Sequence, residues 1–205
     1  MDLTEELIKN NYLKTPNIIS AFKKIKRSDF ILEEYKNESE GDYPLPIGYG
    51  QTISQPLTVA FMLELLQPRQ GDKILDIGSG SGWTTALLAN ITENKGKVYG
   101  IEIIPELKEF QKKNINKYNY TKKGIVEIFC ADGTKGLSDK KPFDKILVSA
   151  MSNKIPLALK DQLKIGGRMV IPISDGISLI IKKTKDVFDE KHYPGFSFVP
   201  LVGKN

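Results

Sequence analysis

Asp76-Ile77-Gly78-Ser79-Gly80-Ser81-Gly82 closes an apolar run that begins at Lys73, and it opens a segment, Thr84 to Ile91, whose apolar residues recur at helical spacing. It therefore reads as a strand-to-helix turn. Glycine at alternate positions lets a ligand approach bare backbone there. A dinucleotide fingerprint, G-x-G-x-x-G, needs a small third residue for close packing of helix on strand, and Trp83 occupies that position. The indole disfavours a nicotinamide dinucleotide. Asp76 at the strand end also sits badly beside a pyrophosphate, whereas it suits a ligand with a cationic amino group.

Working outward, Glu102 ends the next apolar run, about 20 residues past the last glycine, where a carboxylate can accept from both hydroxyls of a ribose. Ala131-Asp132-Gly133 ends the third run and offers a short acceptor for the exocyclic amine of adenine. The predicted cofactor contacts are thus Asp76, Gly78, Ser79, Gly80, Gly82, Glu102, Ile103, Asp132 and Gly133. An adenosine bearing a cationic group, such as S-adenosylmethionine, fits them. Taken singly, the glycines also suit a tight turn, and a strand-ending acid also suits a helix N-cap.

The wider pattern is an alternation of strands and helices. Strands are predicted at Lys73–Ile77, Lys97–Glu102, Val126–Ala131, Asp144–Ala150, Arg168–Pro172, Leu179–Lys183 and Phe196–Leu201, the first five parallel and buried on both faces because they lack polar alternation. Helices are predicted at Leu3–Ile8, Ile18–Ile25, Leu57–Leu66, Thr84–Ile91, Pro105–Lys117 and Pro156–Leu163. This is an α/β fold, Rossmann-like, with a mostly parallel sheet and helices on both faces. One domain is expected over residues 1–205: 1–71 with the N-terminal helices and the substrate-side segment, 72–205 with the cofactor-binding sheet.

At 205 residues the chain can bury a core without disulfides or a structural metal. With a single Cys (Cys130) and a single His (His192), it offers little for a zinc site or for Cys-His or Ser-His-Asp catalysis. Cys130 reads as a buried strand residue, His192 as a surface loop residue and Trp83 as packing. The net charge of +5 is a mild excess with the signs interspersed. The N-terminus lacks a signal-peptide pattern and no apolar run approaches a membrane span, so a cytoplasmic protein is expected.

A second motif, Gly48-Tyr49-Gly50-Gln51-Thr52-Ile53-Ser54-Gln55-Pro56, precedes the sheet. Structurally it reads as helix entry, with Ser54 or Gln55 as N-cap and Pro56 in the first turn. From Pro46 to Pro56, and again from Asp76 to Gly82, the chain resembles the protein-L-isoaspartate O-methyltransferase family. The likeness extends from Leu7-Ile8 through Asp161-Gln162-Leu163 to Phe198-Val199-Pro200-Leu201. It implies the S-adenosylmethionine-dependent methyltransferase fold and transfer of a methyl group to the free α-carboxylate of L-isoaspartyl residues in damaged proteins, initiating repair. It further implies that Ser54 lies beside the accepting carboxylate, with Thr52, Ile53 and Gln55 shaping the pocket. The partners implied are isoaspartyl-containing peptides and unfolded or flexible protein segments, not nucleic acid or membrane, with no metal and no set oligomeric state. The chain departs from the family pattern at Asp76, Trp83, Ala131, Met151-Ser152 and the loop Ser174 to Ser178.

The residue inventory agrees with that chemistry. An α-carboxyl group, with pKa near 3.5, is already ionised at neutral pH, so no general base is needed. Two rivals use the same cofactor fold. One is an RNA or DNA methyltransferase, for which the basic and aromatic stretch Lys112 to Lys123 speaks. The other is a binding module without turnover.

Overall fold

In the computed structural model, which describes residues 2–201, the elements in chain order are α1 (Leu3–Lys9), α2 (Pro16–Lys24), β1 (Leu45–Gly48), β2 (Gln51–Ile53), α3 (Pro56–Leu66), β3 (Lys73–Ile77), α4 (Trp83–Thr92), β4 (Lys97–Glu102), α5 (Pro105–Asn116), β5 (Val126–Cys130), β6 (Phe143–Val148), α6 (Leu157–Gln162), β7 (Leu163–Ile173), β8 (Gly176–Lys182) and β9 (Phe188–Pro194). β1 and β2 form a hairpin of their own, and the other strands make a seven-stranded sheet ordered β5-β4-β3-β6-β7-β8-β9. The five strands from β5 to β7 are parallel, as expected, and β8 and β9 return antiparallel. From β3 the chain crosses outward to β4 and later comes back to β6 on the other side. Open α/β sheets hold ligands beyond the carboxyl ends of their strands at such a switch point.

Two-sided burial explains the uninterrupted apolar strands. Ile74, Val98, Val126, Leu147 and Val170 pack against residues of α2 to α5 such as Phe22, Leu63, Leu87 and Leu107. Leu75, Tyr99, Ile146, Met169 and Ile171 face the other way, toward Leu137, Leu159 and Leu163. Each such side chain contributes about 1.5–3 kcal/mol when fully withdrawn from water. The two layers are unequal: α6 and short turns near Leu137 cover the second face.

Four expectations need correction. The final strand is β9, not Phe196–Leu201. β9 is an edge strand whose residues Asp189 to His192 are exposed, so it has no apolar pattern to betray it, and its charges discourage pairing with another chain. Residues 196–201 instead run as a strap beside Met151, whose N–H donates to Val199 O (2.8 Å) and whose carbonyl accepts from Leu201 N–H (2.7 Å). β7 starts earlier than Arg168, and its pairing with β6 slips between Leu163 and Arg168, where Gly166 adopts a positive φ and Ile165 is turned out to solvent. Cys130 is exposed, because β5 is the other edge of the sheet and Cys130 its last residue. His192 lies within β9 rather than in a loop; its Nδ1 is 3.0 Å from Ser178 Oγ and its Nε2 3.0 Å from Asp175 Oδ1. This Ser-His-Asp row fastens the β8–β9 hairpin and does not line the crevice described below.

Candidate active site

The glycine turn is shaped by backbone that only glycine adopts freely. Gly78, Gly80 and Gly82 have φ of 69°, 51° and 88°. At Gly82 a Cβ would lie 2.7 Å from Gln111 Cγ and 3.1 Å from Ile115, so α5 can seat against the turn only because nothing projects there. The turn is then tied across to β4. Gly80 N–H donates to Glu102 Oε2 (2.9 Å) and Ile104 N–H to Glu102 Oε1 (3.0 Å), and the Glu102 side chain is almost wholly buried. Each carboxylate oxygen keeps a lone pair for a further donor.

Behind the turn sits a buried polar relay. Thr84 and Thr85 hydroxyls donate to Asp76 Oδ2 at 2.9 and 2.6 Å, Gln111 Nε2 donates to Thr85 Oγ1 (3.1 Å), and Ser79 Oγ donates to Gln111 Oε1 (3.0 Å). Asp76 is fully buried and its Oδ1 has no hydrogen-bond partner among the described residues. Burial raises its pKa to about 6; the two threonine hydroxyls oppose that rise, and the nearby Glu102 charge adds to it.

In front of the turn, at the carboxyl ends of β3 and β4, is an open crevice. Of the positions expected to contact the cofactor, Gly78, Gly80, Glu102, Ile103 and Gly133 line it, while Asp76, Gly82 and Asp132 stand outside its wall. Asp76 and Gly82 are spent on holding the turn. Asp132 Oδ1 accepts from Thr134 N–H and Oγ1, capping a short turn. Ser79 borders the adjoining groove. The wall also contains residues not anticipated: Gln51, Ser149, Ala150 and the strap residues Val199, Pro200 and Leu201. Gln51 stands in the second motif, where its type assigned it no role, and the others are too small or apolar to be told from core residues.

These walls fit an adenosine that carries a cation. Ile77, Ile101, Ile103, Ile104 and Leu201 offer an apolar slot for a base, Glu102 offers acceptors for a ribose, and among the described residues no Lys or Arg stands on the wall. A phosphate would find no cation there, whereas a positive ligand meets the Glu102 carboxylate.

The crevice continues into a groove bordered by Ile53, Ser54, Ser81, Trp83 and Thr84, and into an outer channel bordered by Pro44, Ser54, Gln55, Thr58, Ser197 and Phe198. Thr52 and Ser149 border all three spaces. Thr52, Ile53, Ser54 and Gln55 are therefore brought together on this side, at the end of β2. The N-cap of α3 is Gln55, not Ser54, and its own side chain does not cap. Asp42 does so from a distance: its Oδ1 accepts from Leu57 N–H (2.8 Å), and Gln55 Nε2 donates to its Oδ2 (3.2 Å).

Arg27 anchors this whole segment and was not singled out from the sequence. Its guanidinium, buried and 5.7 Å from the Trp83 ring centroid, donates to the carbonyls of Ser39 (3.3 Å), Gly41 (2.9 Å), Tyr43 (2.7 Å) and Ser54 (3.4 Å). Burial lowers its pKa to about 10, against the pull of Asp42, so it is charged at neutral pH. Trp83 is packing, as expected, edge-on to Phe22 at 5.6 Å.

The basic stretch after α5 turns its aromatic rings inward. Tyr118 stacks on Phe30 (5.9 Å) and on Tyr120 (6.0 Å), and its hydroxyl donates to Asp29 Oδ2 (2.7 Å). Rings used in this way are not a platform for bases. Among the described residues no helix is long and apolar enough to cross a membrane.

Fold and crevice together place the chain among the S-adenosylmethionine-dependent methyltransferases. The sequence model of the protein-L-isoaspartate(D-aspartate) O-methyltransferase family matches residues 1–205, and the chain belongs to that family. It is 40% identical over 206 residues to a protein-L-isoaspartate O-methyltransferase of Methanopyrus kandleri, covering 98% of this chain and 90% of that one. It is 44% identical over 190 residues to protein-L-isoaspartate O-methyltransferase 2 of Archaeoglobus fulgidus, covering 91% and 85%. Among solved structures it resembles one from Plasmodium falciparum, described as a protein-L-isoaspartate O-methyltransferase in complex with S-adenosyl-L-homocysteine, with a TM-score of 0.87, 25% identity, and 98% and 96% of the two chains covered.

Proposed function

We propose that this protein moves a methyl group from S-adenosylmethionine to the free α-carboxylate of L-isoaspartyl residues, in peptides and in flexible or unfolded protein segments. One observation carries this reading beyond the family. Among the described residues, neither the groove nor the outer channel is lined by a side chain that could take a proton at neutral pH. An acceptor hydroxyl or amine would need one, whereas a carboxylate arrives ionised. S-adenosylmethionine supplies, when bound, a methyl group on a sulfonium, whose carbon–sulfur bond breaks as the carboxylate oxygen bonds the carbon.

The chain's own residues supply position. Glu102 and the glycine turn hold the adenosine, and Leu201 and the strap close the slot. Ser54, whose hydroxyl enters no hydrogen bond among the described residues, offers a neutral donor to the carboxylate. A neutral donor orients the anion without the tight solvation that a lysine would impose. Alignment of this kind is worth up to about 7–11 kcal/mol. The 1–71 portion of the chain provides Pro44, Thr52, Ser54, Gln55 and Thr58 of the acceptor side, which Ser149 and residues 197–200 complete, and the sheet from β3 onward provides most of the cofactor side.

The test is to incubate the protein with labelled S-adenosylmethionine and paired peptides that differ only in isoaspartyl or aspartyl linkage. A base-labile ester on the isoaspartyl member alone is expected, with shallow salt dependence and little reaction when the same linkage is locked inside a rigid fold. Methylation of structured RNA, steeply weakened by salt, with no reaction on the isoaspartyl peptide would overturn the reading.

A further inference from the structure

Ser149 directly follows β6 at the switch point of the sheet, across from Gly78, which directly follows β3. Its N–H donates to Ile77 O (2.8 Å), and a Cβ built on Gly78 would lie 3.8 Å from the Ser149 carbonyl carbon, so its backbone is fixed directly under the glycine turn. The residue borders the cofactor crevice, the groove beside Ser54 and the outer channel alike. Its hydroxyl is nonetheless shielded from water and has no hydrogen-bond partner among the described residues. A shielded hydroxyl without a partner weakens the fold relative to an alanine in the same place.

We propose that Ser149 is a second acceptor-binding residue, whose hydroxyl, shielded and unpartnered before the acceptor arrives, turns about its Cα–Cβ bond to donate to the isoaspartyl α-carboxylate opposite Ser54 and helps fix the direction in which its oxygen faces the methyl carbon. The inference rests on the proposed function. It follows from where the three spaces meet: the reacting carboxylate must reach the end of the cofactor crevice through the channel, and among the described residues only Thr52 and Ser149 border both of these and the groove. Two neutral hydroxyls on one carboxylate leave it oriented yet still reactive, whereas a single one leaves it free to rotate. No proton is transferred, and Ser149 keeps its own throughout.

The experiment compares wild type with Ser149→Ala and Ser149→Thr on an isoaspartyl peptide, reading kcat and KM, and measures S-adenosylhomocysteine affinity by calorimetry and Tm by thermal melting. Ser149→Ala should lower kcat/KM for the peptide by about tenfold or more, the range expected for a lost hydrogen bond to an ion. Its affinity for S-adenosylhomocysteine should stay within about twofold of wild type and its Tm should not fall, while Ser149→Thr should restore most of the rate. A kcat/KM for Ser149→Ala within about twofold of wild type overturns the inference. So does a loss of S-adenosylhomocysteine affinity in parallel with the rate, which assigns the hydroxyl to the cofactor. Wild-type protein inactive on the peptide but binding S-adenosylhomocysteine would overturn the proposed function itself, and this inference with it.

Discussion

Glu102 holds the glycine turn and faces the crevice at once, so its removal should be felt in two separable measurements. Glu102→Ala leaves the N–H groups of Gly80 and Ile104 without their acceptor, at a site where the carboxylate is 5% exposed. Hydrogen bonds to a charged group contribute about 1.5–3 kcal/mol each, and two that share one carboxylate are not independent, so a loss of about 3 kcal/mol is expected. In a domain of this size that lowers Tm by roughly 6–12 °C. Glu102→Gln keeps one acceptor oxygen and turns an amide N–H against the other donor, so about half that loss is expected. Affinity for S-adenosylhomocysteine should fall roughly tenfold to a hundredfold in Glu102→Ala, since two ribose hydroxyls lose their acceptor in a partly buried site. Thermal melting and calorimetric titration at a temperature where the variant is folded read the two effects. Wild-type affinity in a folded Glu102→Ala protein would falsify the placement of the ribose, and an unchanged Tm would refute the clamp on the turn.

Burial lifts Asp76 to about 6, so between about pH 4 and pH 6 the folded state keeps a proton that the unfolded chain has released. Stability from this group is therefore greatest below about pH 4 and falls as pH rises through about 6; Asp76→Asn should remove that slope and gain about 3 kcal/mol at neutral pH, seen as a urea midpoint shift that is absent near pH 4. Equal shifts at both pH values would sink the explanation. Ser54→Ala should leave stability within about 0.5 kcal/mol, because Ser54 is not the N-cap, yet lower turnover on the peptide; unchanged turnover removes Ser54 from the acceptor site. Arg27→Lys retains the charge but cannot reach all four carbonyls, and should cost about 2–3 kcal/mol and raise the peptide KM more than it weakens cofactor binding. An equal loss of both would show that Arg27 supports the whole molecule rather than the acceptor segment.

The parallel strands were legible because burial on both faces forces a pattern that composition alone reveals, and the glycine turn because few other residues adopt its φ angles. β9 was not, since an exposed edge strand is free of that requirement. The hairpin of β1 and β2 was hidden by Pro44, Pro46 and the consecutive positive φ angles of Gly48, Tyr49 and Gly50, which read only as turns. The wall of the crevice was half legible: Glu102 and Gly133 stand at strand ends that sequence spacing exposes, but Val199, Pro200 and Leu201 reach the crevice through a chain path that no local pattern encodes. Gln111 sits among lysines and looks like part of a solvated helix face, yet it is fully buried and links Ser79 to Thr85.

Arg27 grips the segment that we propose receives the acceptor, and does so through carbonyl oxygens, a group that every residue possesses whatever its side chain. That grip is indifferent to what residues 39–54 are, whereas the rest of the segment's attachment runs through the buried side chains of Leu45, Ile47 and Ile53 and through Asp42, which caps α3. Over evolutionary time, substitutions along this segment can alter which flanking residues an acceptor peptide carries without detaching the segment from its anchor. Diversification of acceptor preference in descendants of this protein is accordingly expected to run through side chains around Pro44 and Thr52, while the arginine stays in place.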